Sequence, residues 1–340
     1  MARGYKCKVL FARVSLHVWT SSPGEPVARG GNRCEHRPVT AVVERVRGAA
    51  ERAIFLRVAG PDATATRARI HETPGPRWFD PGSPVQRVHG DASMFVGGLR
   101  ALLLQSLHPL AMAGVAAHSG YRGDPWGRLQ CTSTFIAVTT FGTADDAERA
   151  VGAVRAVHER VRGVAPDGRP YRAGDPDLLR WVHVAETQSF LAAHQTFGRD
   201  PLDARGCDEY VAQAAVVGRA LGVTDAPRTV RELDEAIEGY RPALALTPAA
   251  LDAARFLLVE APLPRAVRPA YAGLAIAARQ PLPAWARAGM PRVRGVPARW
   301  SRPAGVAVTR GSRSRGCCGG RSRRDERGPA PDQGASRRWR

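Results

Sequence analysis

Seven of the nine histidines lie between residues 71 and 194, and several fall at spacings that could do chemistry. Val154, Val157, His158 and Val161 form an i, i+3, i+4, i+7 stripe, which aims His158 inward among valines. The plain reading is a core imidazole satisfied by a backbone carbonyl or a buried carboxylate. A neutral imidazole among aliphatic side chains is equally what a haem iron needs as an axial ligand. Arg162 follows one turn later. Leu179, His183, Glu186, Phe190, His194 and Phe197 share one face of a second helix, where His183 and Glu186 are spaced to orient one another. Arg128 and Thr132, spaced i, i+4, put a cation and a hydroxyl on one side, suited to a carboxylate or propionate, with a surface pair as the alternative. His108, directly before Pro109 and after Leu102–Leu104, is a fourth inward candidate.

Other templates fail. His158-Glu159 is followed by Arg162 where a zinc-protease helix needs its second histidine, and a di-iron bundle needs two Glu-x-x-His sets plus two more glutamates. The chain has no G-x-S-x-G, Walker or G-x-G-x-x-G run, which removes the usual support for hydrolase, NTPase and dinucleotide readings.

The elements that must carry these residues are helices. Asp91 is placed to cap a helix running to about Leu107, and Pro109 suits the first turn of the next. Asp124-Pro125 and Asp175-Pro176 repeat a cap-plus-proline device, opening helices to about Thr140 and to Phe197-Gly198. Thr143 with Asp146 starts a helix expected to end near Arg162-Gly163, and a loop is expected over 165–174. Further helices fit about 205–221, 229–240, 248–260 and 265–279. Period-2 alternation is too rare for a sheet, so the fold class is all-α, a single multi-helix domain over 74–292. Residues 1–73 read as a poorly defined N-terminal extension.

The formal charge of +19 belongs to the two ends. Residues 1–50 carry nine Lys or Arg against three acids, and residues 291–340 carry fourteen Arg against three, leaving 27 bases and 25 acids between them. The middle is nearly neutral, so specific nucleic-acid binding is not expected. Residues 293–340 are rich in Arg, Gly, Pro and Ser without apolar periodicity, and read as a disordered basic tail. Cys7, Cys34, Cys131, Cys207, Cys317 and Cys318 contain no C-x-x-C pair, which fits a reducing, cytoplasmic setting. The apolar stretch 92–117 contains Arg100, Gln105, His108 and Pro109, so it reads as a buried helix pair and no integral membrane span is expected.

The order of these pieces resembles a known family. Leu107-His108-Pro109, His118-Ser119-Gly120-Tyr121, Asp124-Pro125-Trp126-Gly127-Arg128-Leu129 with Thr132, Thr140-Phe141-Gly142-Thr143, Val157-His158-Glu159-Arg160-Val161-Arg162-Gly163 and Trp181-Val182-His183 resemble the catalytic domain shared by latex-clearing rubber oxygenases and mpaB-type, ER-bound oxygenases. The resemblance runs from about Arg77 to about Arg292. It implies an all-α oxygenase that binds haem b through one proximal histidine, here His158, and uses dioxygen on an apolar, isoprenoid-type substrate. It also implies that Arg128 and Thr132 are the family's Arg-x-x-x-Thr pair beside the haem. His183 occupies a family-like position, Arg162 is counted with the cofactor-binding residues, and His108 is taken as a distal-side polar group. The rival readings are a non-catalytic haem sensor or carrier, or a helical interaction domain.

Composition alone generates one stability test. Deleting residues 296–340 is expected to leave the cooperative unfolding transition of the chain nearly unchanged in a denaturant titration. A large loss of stability would place the domain edge further towards the C-terminus.

Overall fold

The structure is a computed structural model that describes residues 63–293 apart from 121 and 266, all within the compact unit Met1–Ser301. The expectations for the rest of the N-terminal extension and for the basic tail lie outside the described residues. Among the described residues twelve α-helices run in order: α1 Ala63–Glu72, α2 Pro84–Gly90, α3 Met94–Gln105, α4 Pro109–His118, α5 Pro125–Phe141, α6 Ala144–His158, α7 Pro176–Phe197, α8 Ala204–Leu221, α9 Val230–Tyr240, α10 Pro248–Arg255, α11 Arg268–Arg279 and α12 Ala284–Arg287. A π-helical turn, Phe256–Glu260, continues α10. The all-α class holds.

Side-chain caps start most of these helices. Asp124 accepts from the Gly127 N–H at 3.0 Å, Thr143 from Asp146 at 3.2 Å, Asp175 from Asp177 at 2.9 Å and Asp203 from Gly206 at 2.7 Å. Each satisfies one of the donors that a helix leaves unpaired at its first turn, and proline at the first position of α5 and α7 costs no hydrogen bond there. Asp91 accepts from Ser93 at 2.8 Å, but the helix it was expected to open starts at Met94 and is preceded by the separate α2. α1 lies before residue 74 and already contributes to packing: Ile70 is buried with Ala137, Val138 and Ala150.

Two expectations are corrected. A two-stranded antiparallel hairpin, β1 Arg162–Val164 and β2 Pro170–Arg172, stands where a loop was expected, with Gly163 opposite Tyr171. Strands of three residues are too short to show alternation. The Asp167-Gly168 pair that signalled a loop in fact turns the hairpin, with Gly168 at φ 85° and Arg169 N–H on Asp167 at 3.1 Å. The hairpin also ends α6 one turn early, at His158, so that Arg162 is an exposed strand residue and not a helical neighbour of His158.

The core is built around α7. Trp181, Val184, Ala185 and Ala193 are fully enclosed, and α7 packs against α2, α3, α4, α8 and α9. Its tightest partner is α3. A Cβ added to Gly97 would stand 2.7 Å from the Phe190 ring and 3.0 Å from Phe190 Cα, so the two backbones meet where only glycine fits. One turn on, Arg100 is completely buried, donating to Ser189 Oγ at 2.6 Å and to the Pro281 carbonyl at 3.2 Å. α3 and α4 meet at 107°, and no single helix among the described residues is long and apolar enough to cross a membrane.

The α3–α7 seam generates a paired test. Gly97→Ala is expected to destabilise the protein by about 1–3 kcal/mol, because the added methyl meets backbone that cannot yield. Gly98→Ala, whose methyl would lie 3.8 Å from the same ring, is expected to be neutral or to stabilise by up to about 1 kcal/mol through helix propensity. Urea unfolding of both variants reads the difference, and equal effects would refute the close approach.

Candidate functional site

α6 turns Ala147, Ala150 and Val151 into the core, and Val154 and His158 continue that face half-buried. Val157, expected in the same stripe, is instead 45% exposed, because the buried face follows residues 147, 150, 151, 154 and 158. His158 therefore sits at the last turn of α6 with one side enclosed. Its Nδ1 is buried without a hydrogen-bond partner, and burial lowers its pKa, so the ring is neutral at pH 7. An unpartnered buried nitrogen on a neutral imidazole is a donor set suited to a metal ligand.

Arg128 and Thr132 lie one turn apart near the start of α5. Arg128 is half-buried, whereas Thr132 is exposed and donates its hydroxyl hydrogen bond back to the Arg128 carbonyl at 3.1 Å. His108 is buried, caps α4 by accepting from Ala111 N–H at 3.4 Å, and rests beside the rings of Trp181 and Tyr240, which touch each other. That contact set gives His108 a structural role. Arg162 is exposed on β1. Sequence spacing thus brings together Arg128 with Thr132 on one turn, and His183 with Glu186 on another.

His183 and Glu186 sit at the middle of α7, between fully buried residues, yet both keep some accessible surface. The His183 ring lies against α8 at Gly218, where a Cβ would come within 2.9 Å of it. Its Nε2 is buried and unpartnered. Burial, with Arg219 and Arg180 nearby, pushes its pKa down to about 4. Glu186 makes no hydrogen bond or ion pair among the described residues, and burial pushes its carboxyl up to about 7. The expected mutual orientation of the two by a hydrogen bond is not formed.

Facing Glu186 from α8 is Tyr210, a fully buried phenol whose pKa is raised by burial and by the Glu186 charge. Its hydroxyl meets His89 Nε2 of α2 at 3.3 Å, and His89 Nδ1 meets Thr140 Oγ1 of α5 at 2.9 Å. Burial holds His89 down at about 3. This buried polar line escapes sequence reasoning because its members lie on four helices. The only local signal for His89, the short α2, is hidden in a Pro/Gly-rich stretch. Among the described residues no group of three or more His, Cys, Asp or Glu is placed to hold a metal ion.

Comparison with known proteins bears on this arrangement. Residues 86–310, well over half of the chain, match the domain family described as ER-bound oxygenase mpaB/B'/Rubber oxygenase, catalytic domain. The matched stretch includes residues 293–310, which composition assigns to the tail. Uncharacterised proteins of Mycobacterium tuberculosis and Mycobacterium bovis are each 34% identical to the chain over 101 residues, 30% of this chain. That segment spans 39% of the length of these relatives. No solved structure matches significantly.

The enclosed carboxyl generates a pH test. Glu186 titrates near 4.5 when unfolded and near 7 when folded, so the stability its neutral form retains is fully present below pH 4.5 and is lost as pH rises through 7. Glu186→Gln removes that dependence. Its stability relative to the native chain is expected to improve by about 3 kcal/mol between pH 4.5 and pH 7.5, read by denaturant unfolding at both values. A constant difference across the range would mean the carboxyl is ionised in the fold.

Proposed function

The chain belongs to the ER-bound oxygenase mpaB/B'/rubber oxygenase catalytic-domain family, and from that premise we propose that it is a haem b-dependent oxygenase that uses dioxygen on an apolar, isoprenoid-type substrate. Membership makes the domain an oxygenase type of oxidoreductase; the haem, the substrate class and the residue roles are the proposal.

One observation carries it: His158 presents a neutral, half-buried imidazole with an unpartnered buried nitrogen. The described residues offer no cluster of three protein donors. A porphyrin supplies four equatorial nitrogens of its own and asks the protein for a single axial imidazole, so the donor set fits haem better than a directly ligated ion. Haem, when bound, supplies the activation of dioxygen.

The chain's own residues do the positioning. His158 would hold the iron from the end of α6, and the enclosure of its ring, which lowers its pKa, keeps it unprotonated and competent to ligate. Arg128, half-buried near the N-terminus of α5, offers a cation to a propionate at the haem edge, and Thr132 fixes that turn through its bond to the Arg128 carbonyl. Arg162, exposed on β1 beyond the end of α6, would be a further cation available to the haem carboxylates. His183 belongs to the interior wall. His108 serves as cap and packing group, and no step is assigned to it.

The absorption spectrum of the purified full-length chain tests this reading. A Soret band is expected, together with at least a tenfold loss of haem affinity in His158→Ala, partly recovered with free imidazole, while far-ultraviolet circular dichroism stays unchanged. A folded protein that takes up no added haem would overturn it. Haem binding that survives His158→Ala unchanged would move the ligand elsewhere. Haem bound without consumption of dioxygen in the presence of an apolar alkene would favour a sensor or carrier.

A further inference from the structure

α6 ends at His158, and the chain that leaves it enters the hairpin almost at once. The Val161 N–H bonds the His158 carbonyl at 3.2 Å, and the Ala173 N–H bonds the Val161 carbonyl at 2.8 Å, so the last turn of α6 runs directly into the strands. Strands of three residues do not hold themselves in water, so this hairpin is ordered by what it docks on. Of its six strand residues only Tyr171 is buried; Arg162, Val164, Pro170 and Arg172 are exposed. The Tyr171 ring packs with Leu110 and Ala113 of α4, Leu178 of α7 and Ala165 beyond β1. Its hydroxyl meets Nε2 of His118, the last residue of α4, at 3.1 Å. Across the ladder stands Gly163, where a Cβ would lie 2.6 Å from that hydroxyl and 2.8 Å from Cζ. A side chain at 163 would exclude the phenol from its seat.

We propose that Tyr171 is a positioning residue for His158: its ring, seated over Gly163 and bonded to His118, pins the hairpin to α4 and so fixes the last turn of α6, which presents the imidazole. As to the ligand this rests on the haem reading; as to the end of the helix it does not. The body of α6 packs against α5 and α8, and its tie to α4 runs through the hairpin. A helix end lacks the hydrogen bonds of a further turn and frays unless the chain beyond it is held. The imidazole depends on that backbone, because its Nδ1 has no hydrogen-bond partner to set the direction of the ring, as a bonded partner does for most ligating histidines. One aromatic ring is the largest apolar contact the hairpin makes, with a polar end that selects one seat on α4. Tyr171 acts through the backbone and touches no reacting group.

Amide hydrogen exchange on the purified full-length chain, with no haem added, tests the mechanical part. Tyr171→Ala and Gly163→Ala are expected to speed exchange by about tenfold or more over residues 156–161 as well as over the hairpin, while residues 178–190 of α7 keep their native rates. Tyr171→Phe, which keeps the ring and loses the hydroxyl, should give about fivefold, and Val164→Ala, an exposed change on the same hairpin, none. Should the first two variants fail to fold, Tyr171→Phe and His118→Ala remove one bond from opposite sides; each should accelerate exchange at 156–161 equally, and the double variant no further. The haem-loaded chain supplies the second readout, the iron–histidine stretch of its ferrous form by resonance Raman spectroscopy. That band is expected to shift and broaden in Tyr171→Ala, less so in Tyr171→Phe, and to match the native band in Val164→Ala. Native exchange at 156–161 beside a loosened hairpin, or acceleration spread equally over α7, would overturn the dock. An unchanged band beside accelerated exchange would overturn the positioning of His158. A native chain that binds no haem removes the ligand and the haem reading together, and exchange alone then decides whether Tyr171 holds the end of α6.

Discussion

The structure depends on the close approach of α3 to α7 at Gly97. A contact of this kind lets dispersion act between backbones as well as side chains, and it fixes the axial register of the two helices to within a fraction of a turn. Phe190 fills the space that a side chain at position 97 would occupy. That register places Arg100 against Ser189, whose hydroxyl accepts from the guanidinium and donates to the Ala185 carbonyl at 2.6 Å. A buried cation paired only with neutral acceptors is costly to desolvate, so it is tolerated where the packing around it leaves no alternative. The steric contact comes first, and the polar contacts are positioned by it.

Arg100 apart, the buried titratable groups around α7 are polar but uncharged. Burial lowers the pKa of His89, His158 and His183 and raises that of Glu186, so at neutral pH three imidazoles have lost a proton and one carboxyl stands at the edge of keeping its own. Desolvation is the first cause in every case, and the charges of neighbours are secondary. Such an interior differs from that of a hydrolase or a nucleotide enzyme, where fixed charges meet charged substrates.

How much of this was legible in the sequence depended on the range of the interaction. Helix starts were readable because a cap is a contact across three residues: Asp124, Thr143 and Asp175 each bond within their own first turn. The hairpin over 162–172 was not, since three-residue strands carry no pattern and Asp167-Gly168 marks a loop and a hairpin turn equally well. The end of α6 was misjudged for the same reason, and with it the placing of Val157 and Arg162. In the site, the adjacency of His183 and Glu186 followed from a period of 3.6 residues, but their lack of a mutual bond did not, because it depends on how Gly218 receives the imidazole from another helix. The line from Tyr210 through His89 to Thr140 joins residues up to 121 positions apart and has no local signature at all.

The two polar features of the interior make different demands, and the fold meets them with different elements. The axial imidazole of the proposal would have to be neutral, and the last turn of α6 offers a half-buried His158 whose pKa burial lowers. The middle of a long, packed helix holds a side chain in a fixed place, which a helix end does not. α7 is that helix, with Trp181, Val184 and Ala185 fully enclosed beside His183. His183 Nε2 is enclosed there without a partner, and an apolar side chain at that position would cost less, so packing alone does not account for an imidazole in the most constrained element of the domain.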